Sequence, residues 1–254
     1  IKTALHESNS LPGVSVKMLA PKADLVMLGT EDAKKHLGEC KKCVVTGNPL
    51  RNNIPIEEKS AARKRLGLPD CLTILSAGGS QGASRLNEAV VQLLAYEQKK
   101  GNINHIHGYG KHGRDTFMQS LEDNGVDAGN PHFIIKEYID NMYTCMCASD
   151  LIITRAGAMT LTEITAIGRA SVLIPYPYAA ENHQYYNALT LQNANAGRII
   201  DDKELTGSVL IDTVNRLADD PELLRLMSEN AAKLSKRDAA GIILREITEL
   251  MGIK

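Results

Sequence analysis

The chain has 254 residues, with 29 Lys and Arg against 30 Asp and Glu, for a net charge of −1 at pH 7 with histidine neutral. Near-neutrality without a basic run argues against nucleic acid as a partner, and no stretch approaches the roughly 18 consecutive apolar residues of a membrane span. At 43% apolar content the length suffices for one full α/β domain plus part of another; no signal peptide is visible, and the chain reads as cytoplasmic.

In chain order, residues 3–6 read as a strand, 14–23 as a helix after Pro12 and Gly13, 25–28 as a strand, 31–37 as a short helix and 43–46 as one more strand. Gly47-Asn48-Pro49, with Asn52, Asn53 and Pro55, makes a turn-rich connection. From Leu72 the pattern alternates. Strands are expected at 72–77, 103–107, 132–136, 151–154, 171–174 and 197–200, with helical segments between them, and 221–234 and 239–251 read as terminal amphipathic helices. That order implies a parallel sheet with helices on both faces. No internal repeat is evident.

Three strand ends carry chemistry. The apolar run 72–77 breaks into Gly78-Gly79-Ser80-Gln81-Gly82-Ala83, and a segment follows whose Leu86, Ala89, Val90, Leu93 and Leu94 recur at helical spacing. Glycines let the backbone approach a ligand, and the first amides of a helix are unpaired donors at the positive end of its dipole, so the turn can hold phosphate. Its spacing is neither the dinucleotide Gly-x-Gly-x-x-Gly nor a P-loop, and a tight strand-to-helix connection without a ligand would look the same. The second is Arg155-Ala156-Gly157-Ala158-Met159-Thr160, with a helix start expected at Leu161 and Glu163 one turn inside it. A carboxylate there accepts from paired sugar hydroxyls, or merely complements its own helix dipole. The third is the strand at 171–174, which runs into Pro175 and Pro177 and then into Glu181-Asn182-His183-Gln184-Tyr185-Tyr186-Asn187. Open α/β sheets bind ligands at the carboxyl ends of their strands, and phosphate, ribose and amide or imidazole chemistry on three such loops suits a nucleotide sugar.

These motifs, with His6-Glu7-Ser8-Asn9 and Thr46-Gly47-Asn48-Pro49-Leu50-Arg51, stand in an order that resembles the MurG family of glycosyltransferase family 28. The resemblance runs from residue 1 to near the C-terminus. It implies an α/β chain in the GT-B arrangement of Rossmann-like domains, with a complete C-terminal doubly wound parallel sheet and only the end of the N-terminal domain. On that basis residues 1–46 are the remnant of the acceptor-side domain, 47–56 the interdomain connection, 57–236 the UDP-sugar-binding domain and 237–254 a helix returning toward the N-terminal domain. The implied activity is inverting transfer of N-acetylglucosamine from UDP-N-acetylglucosamine to lipid I in peptidoglycan synthesis, on the inner face of the cell membrane and without a cofactor.

The resemblance also implies the donor contacts. Ser80 and the amides of Gly79, Ser80, Gln81, Gly82 and Ala83 meet the diphosphate, with Arg51 adding charge; Glu163 accepts from the ribose and the Ile139 backbone brackets uracil. Ala158, Met159 and Thr160 line the sugar and phosphate end, His183 and Gln184 lie near the hexose hydroxyls, and Asn9 approaches the sugar from the other lobe. The family's acceptor base lies in a glycine-rich segment that would precede Ile1, so no catalytic residue is assigned and donor binding without efficient transfer is expected. An uncovered strand edge in the N-terminal remnant is expected to favour self-association. Two other readings stay open: a related GT-B enzyme such as a UDP-N-acetylglucosamine 2-epimerase or another UDP-sugar transferase, and a non-catalytic UDP-sugar-binding fragment.

Five cysteines and seven histidines invite a metal reading. Cys40-x-x-Cys43 and Cys145-x-Cys147 are far apart in sequence, and reduced structural thiols are the better account. His105 and His107 alternate along a strand and are expected to face solvent or core rather than a metal.

Overall fold

The computed structural model describes residues 1–51 and 56–253; the expected turn residues Asn52, Asn53 and Pro55 lie outside them. A small first lobe holds β1 (Ala4–Glu7), α1 (Val14–Leu19), β2 (Leu25–Leu28), α2 (Lys34–Leu37) and β3 (Cys43–Val45), its strands parallel in the order β1-β2-β3. Ala20, Val26, Leu28, Ala33 and Leu37 form its core. Among the described residues β1 has a neighbour on one side only. The helix expected to reach Ala23 stops at Leu19, because Pro21 supplies no amide hydrogen to continue the hydrogen-bond ladder. Likewise α2 starts at Lys34 rather than Glu31, after a turn in which Asp32 accepts from Lys35.

The second lobe opens with α3 (Lys59–Leu66), a helix not expected from the sequence. It then alternates β4 (Leu72–Ala77), α4 (Ser84–Lys100), β5 (Ile103–Gly108), α5 (Phe117–Asp123), β6 (Phe133–Lys136), α6 (Met142–Ala148), β7 (Leu151–Thr154), α7 (Ala158–Ile167), β8 (Ala170–Leu173), α8 (His183–Asn193) and β9 (Gly197–Ile199), followed by α9 (Gly207–Ala218), α10 (Pro221–Lys233) and α11 (Ala239–Met251). The six strands are all parallel, in the order β6-β5-β4-β7-β8-β9. Every residue of β7 and β8 is buried, as strands covered on both faces require.

One face of the sheet is covered by Leu86 and Leu93 of α4, Leu210 and Val214 of α9 and Met227 of α10. The other takes Met146 of α6, Leu161 and Ile164 of α7 and Leu191 of α8. The strand order reverses between β4 and β7, so the loops leaving those two strands diverge and open a crevice, the position where doubly wound sheets bind ligands. Beyond α10 the chain returns to the first lobe: Lys42 pairs with Glu246 of α11 at 2.8 Å and with Glu249 at 3.3 Å.

Candidate functional site

The turn after β4 is built from backbone. Gly79 O accepts the Gly82 N–H at 2.9 Å, and the two glycines adopt φ of 88° and 85°, where other residues are strained. A side chain at Gly82 would strike the Tyr109 carbonyl oxygen. The segment after β5 clamps the turn: the Lys111 N–H donates to Ser80 O at 3.2 Å and the His112 N–H to Gln81 O at 2.8 Å. With those carbonyls engaged, the amides of Ser80, Gln81, Ala83, Ser84 and Arg85 have no acceptor among the described residues. They form a row of donors at the N-terminus of a 17-residue helix, which suits an anion.

The neighbouring strand supplies a second row. Gly157 rather than Thr160 caps α7, so Ala158, Met159 and Thr160 form its first turn, and the first internal bond is Leu161 N–H to Gly157 O at 3.0 Å. Met159 is 42% exposed at that end. Glu163, one turn further in, is half-buried, and the Tyr143 hydroxyl of α6 donates to its Oε1 at 2.9 Å. Burial pushes the Glu163 carboxyl above the ordinary carboxylate range, and the Tyr143 bond and the Arg51 guanidinium pull it back. Arg51, exposed on the segment after β3, pulls the pKa of both members of this pair down by its charge.

The third loop reaches α8 through Glu181 and Asn182, both left-handed at φ 50° and 57°, a conformation that costs non-glycine residues energy and recurs at ligand sites. His183 Nδ1 lies 2.9 Å from the Ala180 carbonyl, which can only accept, so the ring proton sits there and Nε2 is left as an acceptor with no hydrogen bond among the described residues. Gln184 Oε1 accepts from both Ala156 N–H, at 3.1 Å, and Tyr176 N–H, at 3.0 Å, stitching the second loop to the third. Only its Nε2 is left for a ligand. Ile139 buries its side chain over Gly108, while its N–H and C=O make no hydrogen bond among the described residues.

From the first lobe, Glu7 is buried and accepts from Asn9 N–H, Asn9 Nδ2 and Gly13 N–H, fixing the loop that carries Asn9. Asn9 Oδ1 in turn accepts from Asn187 Nδ2 of α8 at 3.1 Å. A cavity of about 430 Å³ lies between the lobes, lined by Ser8, Thr30, Asn48, Thr162, Thr190 and Lys236 among others. Of the expected donor residues, Ala158 alone lines it among the described residues; the structure thus separates this cavity, on the far face of α7, from the crevice at the switch point.

The sequence profile of the glycosyltransferase family 28 C-terminal domain matches residues 73–242, from β4 to the start of α11. The chain belongs to glycosyltransferase family 28. A Desulforamulus reducens protein is 36% identical over 253 residues, 99% of this chain and 68% of its own length. A Thermoanaerobacter protein is 39% identical over 251 residues, 98% of this chain and 68% of its own. Both are named UDP-N-acetylglucosamine--N-acetylmuramyl-(pentapeptide) pyrophosphoryl-undecaprenol N-acetylglucosamine transferase. The crystal structure of Acinetobacter baumannii MurG superposes with a TM-score of 0.79 at 26% identity, covering 98% of this chain and 67% of that one. A Neisseria meningitidis UDP-GlcNAc 2-epimerase, solved bound to UDP-GlcNAc, shares the fold at a TM-score of 0.65 and 15% identity over 96% of this chain and 69% of its own. The MurG likeness and the parallel sheet place this family 28 chain in the GT-B class.

Several residues gain a role that their sequence neighbourhood did not signal. Tyr143 sits in a run whose apparent interest was Cys145 and Cys147; both thiols are buried, and among the described residues no group of three or more His, Cys, Asp and Glu side chains converges on a metal position. Asn187 was legible as part of a motif but not as a clasp between lobes. His105 and His107 face the core: Ser76 Oγ lies 2.6 Å from His105 Nε2 and 2.7 Å from His107 Nδ1, and His105 Nδ1 lies 2.7 Å from Glu97 Oε2.

Proposed function

We propose that this chain is the donor-binding part of an enzyme that transfers N-acetylglucosamine from UDP-N-acetylglucosamine to lipid I, with inversion, in peptidoglycan synthesis, at the inner surface of the bacterial membrane. The observation that carries the reading is the pair of helix N-termini, α4 and α7, opening on one crevice from adjacent strands, with the Glu163 carboxylate one turn inside the second. The free amides around Ser80 and the Arg51 guanidinium meet the diphosphate and take up the charge that develops on it as the sugar leaves. Glu163 accepts from the ribose hydroxyls, and the unbonded Ile139 backbone brackets the uracil. Thr160, His183 Nε2 and Gln184 Nε2 address the hexose. Asn9, held by Glu7 and Asn187, brings the first lobe against the sugar. No helix among the described residues is long and apolar enough to cross a membrane.

Calorimetry with UDP and UDP-N-acetylglucosamine, run beside transfer of labelled sugar to a lipid I analogue, tests the reading. Binding of both nucleotides at one site is expected; absence of binding would reject it. Labelled product that stays a nucleotide sugar epimerised at C2 would favour the 2-epimerase reading, whose specific support is the shared fold.

A further inference from the structure

Glu163 does not stand alone in the crevice. Its Oε1 receives the Tyr143 hydroxyl at 2.9 Å, and Tyr143 is itself half-buried on α6, which packs against α7. A carboxylate that must accept two vicinal hydroxyls has to present its oxygens in a fixed plane, and a half-buried Glu with no fixed partner retains rotamer freedom that a ligand would have to freeze. The phenol removes that freedom. We propose that Tyr143 is a positioning residue for sugar-nucleotide binding: it pins Glu163 through Oε1 and turns Oε2 toward the ribose hydroxyls of the ligand. This rests on the donor reading of the crevice.

A second consequence is electrostatic. Burial favours the protonated form of Glu163, which offers one acceptor fewer to a ribose, and the groups opposing this are Tyr143 from α6 and Arg51 from the interlobe segment. The other helices packed on α7, α8 and α10, add no charged group that moves it among the described residues. The Tyr143 hydroxyl therefore keeps Glu163 ionised to lower pH than burial alone would allow, at the same time as it aims it. The phenol responds in kind, its own ionisation pushed up by burial and by the carboxylate beside it.

The test is UDP binding by calorimetry across the acid range for the 254-residue chain, Tyr143→Phe, Glu163→Gln and the double variant, with 2′-deoxy-UDP as a second probe. Tyr143→Phe is expected to bind UDP about fivefold more weakly at neutral pH, less than the loss of a direct hydrogen bond from ligand to carboxylate, because the contact removed only positions Glu163. Its loss of affinity on acidification should begin at higher pH than in the parent. In the Glu163→Gln background the same change should have little further effect. The melting temperature of Tyr143→Phe, read alongside, separates misfolding from mispositioning. If Glu163→Gln loses affinity for UDP but Tyr143→Phe keeps both the affinity and the acid limb of the parent, the positioning role is overturned while the donor reading stands. If Glu163→Gln binds UDP and 2′-deoxy-UDP as the parent does, the ribose assignment itself fails and takes the proposal with it.

Discussion

Asn187 holds Asn9 across the groove between the lobes: its Nδ2 donates to Asn9 Oδ1 and to Ala156 O, each at 3.1 Å, while its Oδ1 accepts from the Ser10 N–H at 2.8 Å. A single buried amide thus joins the β1 loop, the β7 loop and α8. Truncating it to alanine strands three polar groups at once. Asn187→Ala should lower unfolding stability by about 2–4 kcal/mol, the cost of leaving buried hydrogen-bonding groups unpaired, as read by urea denaturation. A change within error would show that water replaces the clasp.

The phosphate loop should depend on backbone more than on its hydroxyl. Ser80→Ala removes one exposed donor and is expected to weaken UDP binding by roughly 0.5–1.5 kcal/mol. Gly82→Val drives a side chain into the Tyr109 carbonyl and demands φ of 85° from a β-branched residue, so binding should be lost. Titration of both variants with UDP decides; the reverse ranking would replace the amide cradle with a hydroxyl contact.

Glu163→Ala should weaken UDP binding by about 1.5–3 kcal/mol, the range for hydrogen bonds to a charged group, with a much smaller effect on thermal stability. The sign of that second effect follows from burial. A carboxyl whose folded pKa is raised makes the folded state bind protons more tightly, so its contribution favours folding at low pH and is lost as pH rises through the raised value. Ionised Glu163 therefore costs the unliganded fold stability at neutral pH. Glu163→Gln should melt at or above the parent's temperature in scanning calorimetry while binding UDP less well; a marked fall in melting temperature would make Glu163 a structural residue.

His107 is fully buried against Ser76 and stacks on Phe117, ring centroids 4.7 Å apart. Burial, reinforced by the nearby His105, holds it well below its ordinary 6.5. Between that depressed value and 6.5 the unfolded chain binds more protons than the folded one, so stability drops as pH falls through this window. Urea midpoints at a series of pH values should fall on the acid side, and His107→Gln should flatten the slope while costing roughly 1–3 kcal/mol at neutral pH. An unchanged slope in the variant would assign the acid sensitivity elsewhere.

The side of β1 that has no strand neighbour among the described residues, together with exposed Val14, Met18 and Leu19 of α1 and Leu244 and Met251 of α11, offers an edge and apolar surface for a second copy. Sedimentation velocity on the 254-residue chain should show association growing with concentration. A monomer throughout would count against it.

β7 was legible as an apolar run, Leu151 to Thr154 having no polar residue until its last position, whereas β5 carries the buried Asn104, His105 and His107 and was legible from its alternation instead. The end of α1 is set by Pro21, whose missing amide hydrogen is a local fact. The start of α7 at Ala158 was obscured because small residues read equally as turn or first helical turn, and only the Gly157 cap decides between them. What no local pattern could carry is the meeting of Tyr143 with Glu163, 20 residues apart, or of Asn187 with Asn9, 178 apart. Those contacts exist only after α6 packs on α7 and the two lobes close on each other.

The clamp by which Lys111 and His112 hold the carbonyls of Ser80 and Gln81 has a consequence for variation among relatives. The turn owes its shape to amides contributed by the next strand's loop, where any residue other than proline will serve, so the side chains at 111 and 112 are free to drift while the cradle persists. Substitutions that shift the backbone there, at Gly110 above all, would instead retune affinity without touching the ligand. Two proteins with letter-for-letter identical glycine turns can then differ in how they hold a diphosphate, and the cause will be found about 30 residues downstream.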